Sequence, residues 1–129
     1  MNLLFAIAAG GALGALLRYG LAGLIQKAVG SPFPWGTVTV NVIGSLMMGV
    51  CWEYLFRSPA SPALRGFIVV GFLGAFTTFS TFSLETVLLA RLHDMHAALL
   101  NVFVSNTVCI SAVLLGLHLT RCIHPHVAK

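Results

Sequence analysis

Charge is what this sequence lacks. Lys, Arg, Asp and Glu together make up 8% of the chain, against roughly a quarter of an average soluble domain. Hydrophobic residues make up 58% and the mean hydropathy is +0.97, which excludes an ordinary soluble enzyme or binding domain and makes lipid the solvent. The net charge of +4 comes from seven basic residues that fall singly at the ends of apolar stretches. With no basic patch, nucleic acid is excluded as a partner. Three cysteines, Cys51, Cys109 and Cys122, lie in or at the edge of apolar stretches without a C-x-x-C spacing and read as packing residues or free thiols. There is no nucleotide-binding loop and no connection long enough to hold a soluble catalytic domain.

What is present is four long apolar runs. A bilayer crossing needs about 20 such residues in a helix, and residues 3–25, 35–56, 67–90 and 97–120 qualify. The sequence therefore predicts an all-α integral membrane protein, one four-helix transmembrane domain over residues 1–129. Gly30-Ser31-Pro32-Phe33-Pro34, Arg57-Ser58-Pro59-Ala60-Ser61-Pro62 and Arg91-Leu92-His93-Asp94-Met95 carry the turn chemistry of the connections. The first run has no basic segment before it and exceeds the roughly 7–15 apolar residues of a signal peptide, so it is expected to remain in the mature protein. The lack of a targeting peptide points to a bacterial inner membrane.

Topology follows Lys and Arg at span ends. Arg57, Arg65, Arg121 and Lys129 share one side with both termini, while Lys27 and Arg91 lie on the other, with Arg18 reaching toward it. So small a bias fits either a single orientation with Arg121 and Lys129 inside or dual insertion, in which opposite copies pair as an antiparallel dimer.

Several polar residues lie at membrane depth. Gly10 and Gly14 form a G-x-x-x-G pair, and Ser45 and Gly49 repeat the spacing, which predicts close helix contacts. Asn41 needs partners, either on a neighbouring helix or along a hydrated path. In the third run, Gly71-Phe72-Leu73-Gly74-Ala75-Phe76 is followed by Thr77-Thr78-Phe79-Ser80-Thr81-Phe82-Ser83. Glycine frees the backbone and serine or threonine bonds back to carbonyls, so a helix break is expected between Gly74 and Phe79. Such a break is tolerated only where it is buried in protein or lines a watery cavity. Phe79 and Phe82, three apart, share a helix face, and their positive ring edges can attract an anion; the alternative is plain packing. Asn101, Ser105 and Cys109 form a weakly polar stripe on the fourth run, suited to a pore wall or to interhelical hydrogen bonds. Of the ionisable residues within spans, Arg18 and Glu53 lie near enough to the ends to snorkel, leaving Glu85 as the functional candidate.

These residues resemble the Fluc, or CrcB, family of fluoride channels. The resemblance rests on Gly11-Ala12-Leu13-Gly14-Ala15-Leu16-Leu17-Arg18-Tyr19, Gly36-Thr37-Val38-Thr39-Val40-Asn41 and Gly71-Phe72-Leu73-Gly74 leading into Thr77-Thr78-Phe79-Ser80-Thr81-Phe82-Ser83 with Glu85. It implies an antiparallel, dual-topology homodimer with two fluoride paths at the subunit interface. Phe79 and Phe82 would offer ring edges to the ion, Asn41 a hydrogen bond, and Ser105 part of the pore wall. Arg18 would supply positive potential in a vestibule, with Thr81 and Glu85 as vestibule or supporting residues. A structural Na⁺ at the dimer centre would be held by the backbone carbonyls of Gly74 and Thr77 from both copies, a donor set suited to a hard cation. Two positions depart from the pattern: Ala75 replaces a second glycine often found beside Gly74, and Cys109 stands where a pore serine often sits.

Other functions fit less well. A small multidrug-type transporter needs an acidic residue in its first span, where this chain has only Arg18. A noncatalytic membrane subunit, its polar residues merely knitting helices together, predicts no ion flux. No nucleophile and base can be paired to make an enzyme, and His93, His96, His118, His124 and His126 lie at span ends. His93-x-x-His96 offers a metal only two ligands.

Overall fold

The computed structural model describes residues 2–92 and 94–123. His93, His124, His126 and Lys129 lie outside these residues, and with them one member of the His93-x-x-His96 pair and part of the charge count at the carboxy terminus. The described residues form helices and connections with no strand. Four stretches are long and apolar enough to cross a membrane: Leu3–Val29, Trp35–Arg57, Pro62–Arg91 and Met95–Ile123.

Helix α1 (Leu3–Val29) is capped by Asn2, whose side chain accepts from the Leu4 amide, and ends at Gly30, which adopts a left-handed conformation (φ 62°). Gln26 organises the turn that follows. Its Nε2 donates to the carbonyls of Ser31 and Phe33, and its Oε1 accepts from the Gly36 amide as α2 (Trp35–Arg57) begins. Helix α3 (Pro62–Arg65) starts earlier than the apolar run implies. Ser61 caps it by accepting from the Leu64 amide, and Pro62 takes a first-turn position where its missing N–H costs nothing.

From Gly66 to Leu73 the chain is π-helical, and the Gly74 amide reaches back to the Val69 carbonyl. Two short-range facts fit the widened helix to α1. A Cβ on Gly10 or Gly14 would collide with backbone of Phe67 or Phe72, and one on Gly71 would meet the Ile7 carbonyl oxygen. The two backbones therefore touch through glycine, as the G-x-x-x-G spacing requires. On α2 and the last helix, α6 (Met95–Ile123), Gly49 lies against the Val113 carbonyl and Gly116 against that of Leu46, so the expected contact at Gly49 has a reciprocal glycine on the facing helix.

After the π-helical segment, α4 covers only Gly74–Phe76 and α5 runs Phe79–Arg91, with Thr77 and Thr78 extended between them. Leu73 and Phe76 are buried, and Gly44 of α2 leaves room for the Thr77 methyl and the Phe76 ring.

The expectation that Glu53 snorkels is corrected. Its side chain is only 5% exposed, and its Oε1 lies 2.6 Å from Arg57 Nε and 2.8 Å from Arg121 Nε. A carboxylate beside two guanidinium groups has no need to reach for water. The bond to Arg121 also fastens the end of α2 to the end of α6.

Candidate functional site

The extended pair Thr77–Thr78 organises the site. In a continuous helix the Thr78 amide would bond the Gly74 carbonyl. Here it donates instead to Asn41 Oδ1 at 2.7 Å, while Asn41 Nδ2 donates to the Thr78 carbonyl at 3.1 Å. Both the amide and the carbonyl that an extended residue leaves unpaired are thus met by one side chain from α2. Thr77 closes the preceding turn by donating from both its amide and its hydroxyl to the Leu73 carbonyl. Thr78 opens the next one, its hydroxyl oxygen accepting from the Thr81 amide as a helix cap. Arg18 Nε donates to the Ala75 carbonyl at 3.1 Å, so the sequence-predicted vestibule arginine is anchored to the last turn before the extended residues.

Two cavities meet at this point, and Thr78 lines both. The inner one, about 260 Å³, is bounded by Asn41, Gly44, Ser45, Met48, Thr77, Phe79, Phe82, Ser105, Asn106 and Cys109 among others, with no ionisable acid or base except the cysteine thiol. The outer one, about 270 Å³, is lined by Arg18, Tyr19, Gln26, Thr37, Thr81 and Glu85 among others. Asn41, Phe79, Phe82 and Ser105 therefore share one cavity, and Arg18, Thr81 and Glu85 the other. This division separates the residues assigned to an anion path from those assigned to a vestibule.

The ring centroids of Phe79 and Phe82 are 5.4 Å apart, inclined at 45°. Within one chain they differ sharply in exposure, 75% for Phe79 against 7% for Phe82. The exposed ring of Phe79 and the buried ring of Phe82 both line the inner cavity.

The polar stripe on α6 is partly committed to the protein. Asn101 is buried, its Nδ2 donating to Thr86 Oγ1 of α5 at 2.9 Å, and its Oδ1 accepts from Ser105 Oγ at 3.2 Å. Ser105 has one hydroxyl proton, and it is directed at Asn101. Asn41 has two N–H bonds on its amide nitrogen, so one remains beyond that given to Thr78. Asn106 donates to the Val102 carbonyl of its own helix. In the outer cavity Thr37 Oγ1 donates to Glu85 Oε1 at 2.7 Å, while Glu85 Oε2 is buried without a hydrogen-bond partner among the described residues.

Among the described residues, the carbonyls of Gly74 and Thr77 accept no side-chain donor, in contrast to those of Ala75 and Thr78. Residues missed from sequence include Gln26 and Thr37. A Thr-Glu contact across 48 positions has no local signature, whereas Gln26 stands beside a Gly/Pro turn where an amide side chain is a natural clip.

Residues 5–117 match the family described as CrcB-like protein, Camphor Resistance (CrcB). The chain is similar to the fluoride-specific ion channel FluC of Shewanella halifaxensis (strain HAW-EB4), with 47% identity over 116 residues, covering 90% of this chain and 94% of that relative. The protein of the same name from Magnetococcus marinus (strain ATCC BAA-1437 / JCM 17883 / MC-1) is 47% identical over 119 residues, 91% of this chain and 96% of its own. That from Hahella chejuensis (strain KCTC 2396) is 43% identical over 118 residues, covering 91% and 93% respectively. With its four membrane-spanning stretches and a match over nearly its whole length, the chain is a multi-pass membrane protein that belongs to the CrcB family.

Proposed function

We propose that this protein is a fluoride-selective channel, not an enzyme, which lets fluoride leave the cell passively and so lowers its cytoplasmic concentration. The observation that carries this reading is the pair of cavities meeting at Thr78, one holding Arg18 and the other lined by ring edges and neutral polar groups. A cation in a vestibule raises the local anion concentration. Beyond it, a small anion is held by the positive edges of Phe79 and Phe82 and by the remaining N–H of Asn41, contacts weak enough to permit both entry and release. Ser105 joins them by turning its hydroxyl away from Asn101. Thr81 and Glu85 support the vestibule side. The name of the relatives, fluoride-specific ion channel, supplies the ion.

The functional unit in this reading is an antiparallel, dual-topology homodimer in a bacterial inner membrane, each chain one four-helix domain over residues 1–129. Exposure of Phe79, a residue that lines the inner cavity, supports it: a second copy of the chain would cover an aromatic ring left open in the single chain. The interruption at Thr77–Thr78 is then a break of the third helix at membrane depth, buried at the dimer centre. There the carbonyls of Gly74 and Thr77 from both copies would hold a structural Na⁺. The residues fit that ion, since the donor that would reach the Gly74 carbonyl is taken by Asn41, and four neutral oxygens suit a hard cation. The ion would supply fixed positive charge where the two copies meet.

The direct test is fluoride efflux from liposomes holding the purified protein, with chloride efflux measured in parallel. Rapid efflux of fluoride alone is expected; none from a folded dimer would reject the channel. Reporter fusions at the carboxy terminus should be active on both sides of the membrane, and activity on one side only would reject dual insertion.

A further inference from the structure

Ser105 and Phe82 both line the inner cavity, and behind its wall a chain of hydrogen bonds joins them, every bond running in the same direction. Ser105 Oγ donates to Asn101 Oδ1 at 3.2 Å, Asn101 Nδ2 to Thr86 Oγ1 at 2.9 Å, and Thr86 Oγ1 to the Phe82 carbonyl at 2.8 Å. The two middle members line neither cavity. Asn101 is 1% exposed, so its amide depends on protein groups for its partners.

Every link can run the other way. A hydroxyl both donates and accepts, and the two ends of an asparagine amide offer one role each. Turning the Asn101 amide over sets its Nδ2 against Ser105 Oγ and its Oδ1 against Thr86 Oγ1. Asn101 then donates to Ser105, and Thr86 donates to Asn101. The bond given up is that from Thr86 to the Phe82 carbonyl, which lies within α5 and takes part in the backbone ladder there. The Ser105 proton is released to point into the cavity. Were Ser105 to turn alone, it would leave the buried Asn101 oxygen without its donor, the costly way to break a hydrogen bond.

On the channel reading, we propose that Asn101 and Thr86 are positioning residues of the anion path, and that reversal of their chain turns Ser105 from a donor to the protein into a donor to fluoride. The ion takes the place of the Phe82 carbonyl as the last acceptor, so a hydrogen bond is exchanged and none is lost. An exchange so nearly balanced suits a path that the ion must also leave.

Fluoride efflux from liposomes, measured over a range of internal fluoride concentrations, tests the proposal. Thr86→Val removes the hydroxyl. The chain as it stands then loses both bonds made by Thr86 Oγ1, whereas the reversed chain loses only the one to Asn101. The substitution therefore favours the reversed chain, and the half-saturating fluoride concentration should fall by about threefold or more. Thr86→Ser keeps the hydroxyl and should restore the wild-type value, and in a Ser105→Ala background Thr86→Val should have no such effect. A purely structural role for Thr86 predicts a lower melting temperature with no gain in affinity and no dependence on Ser105. An unchanged or raised half-saturating concentration in Thr86→Val, or a fall that persists with Ser105→Ala, would overturn the proposal and leave the channel reading intact. Thr86→Ala serves in the same test if the valine variant does not fold. Absence of efflux from folded wild-type protein would instead reject the channel reading itself.

Discussion

Asn41 holds Thr78 at both ends of its side-chain amide, accepting from the backbone N–H at 2.7 Å and donating to the carbonyl at 3.1 Å. Asn41→Asp keeps the acceptor but sets a second oxygen against the Thr78 carbonyl. The loss of this part-buried hydrogen bond is expected to cost about 1 kcal/mol or somewhat more. Because the clamp also fixes where Phe79 begins its helix, fluoride efflux should fall by roughly tenfold or more. Thermal unfolding and liposome efflux measure the two effects; wild-type efflux would show that Asn41 neither positions the segment nor contacts the ion.

The two rings should separate function from stability. Phe79→Ile and Phe82→Ile each replace a ring edge by an aliphatic surface and are expected to abolish efflux while leaving the elution volume on gel filtration that of the wild type. Truncation distinguishes them further. Phe82 is buried within one chain, so Phe82→Ala should destabilise the protein by about 3–5 kcal/mol. Phe79→Ala, at a ring exposed in the single chain, should leave the stability of the chain itself nearly unchanged and weaken the self-association proposed above. Unchanged efflux in both isoleucine variants would reject the ring-edge mechanism.

Glycine contacts give a structural prediction with an internal control. Gly14→Ala drives a methyl group into the Phe72 carbonyl and should lower stability by about 3 kcal/mol. Gly20→Ala on the same helix meets nothing within 4 Å and should be neutral. Equal effects in thermal unfolding would contradict the backbone contact between α1 and the π-helical segment.

Glu53→Gln removes the charge shared by Arg57 and Arg121 without changing the side chain's shape. The melting temperature should fall, with less effect at high salt as the exposed arginines are screened, and efflux should be unchanged because the cluster lines neither cavity.

Thr77→Ala removes a hydroxyl that donates to the Leu73 carbonyl but leaves the Thr77 carbonyl in place. The proposed carbonyl-based Na⁺ site should therefore survive, and any Na⁺ dependence of efflux measured for the wild type should be retained. Its disappearance would assign the hydroxyl itself to the ion.

Spans and small-residue contacts were legible because lipid imposes simple demands: length, apolarity and room for backbone to meet backbone. Less legible was everything decided by long-range partners. Glu53 lies four residues before Arg57, a visible helical pair, but its second partner is Arg121, 68 positions away. Proximity to a span end suggested snorkelling, and only the fold shows the burial. The π-helical segment left no periodic signal, since Gly66-Phe67-Ile68-Val69-Val70-Gly71-Phe72-Leu73 is apolar on every side and offers no polar face whose spacing could shift. At the site, residue types pointed to Asn41, Phe79, Phe82 and Ser105, and all four line one cavity. That Ser105 gives its proton to Asn101 depends on a rotamer, which composition does not specify.

The π-helical segment also acts as a phase setting for everything that follows it. Each residue added to or removed from a helix turns the downstream chain by about 100°. Over Gly66–Leu73 the π-helical turn takes in more residues per turn than an α-helix, and this sets the phase in which Phe79 and Phe82 reach the cavity they now line. The aim of the aromatic pair is thus written partly in residue count, several turns upstream of the rings themselves.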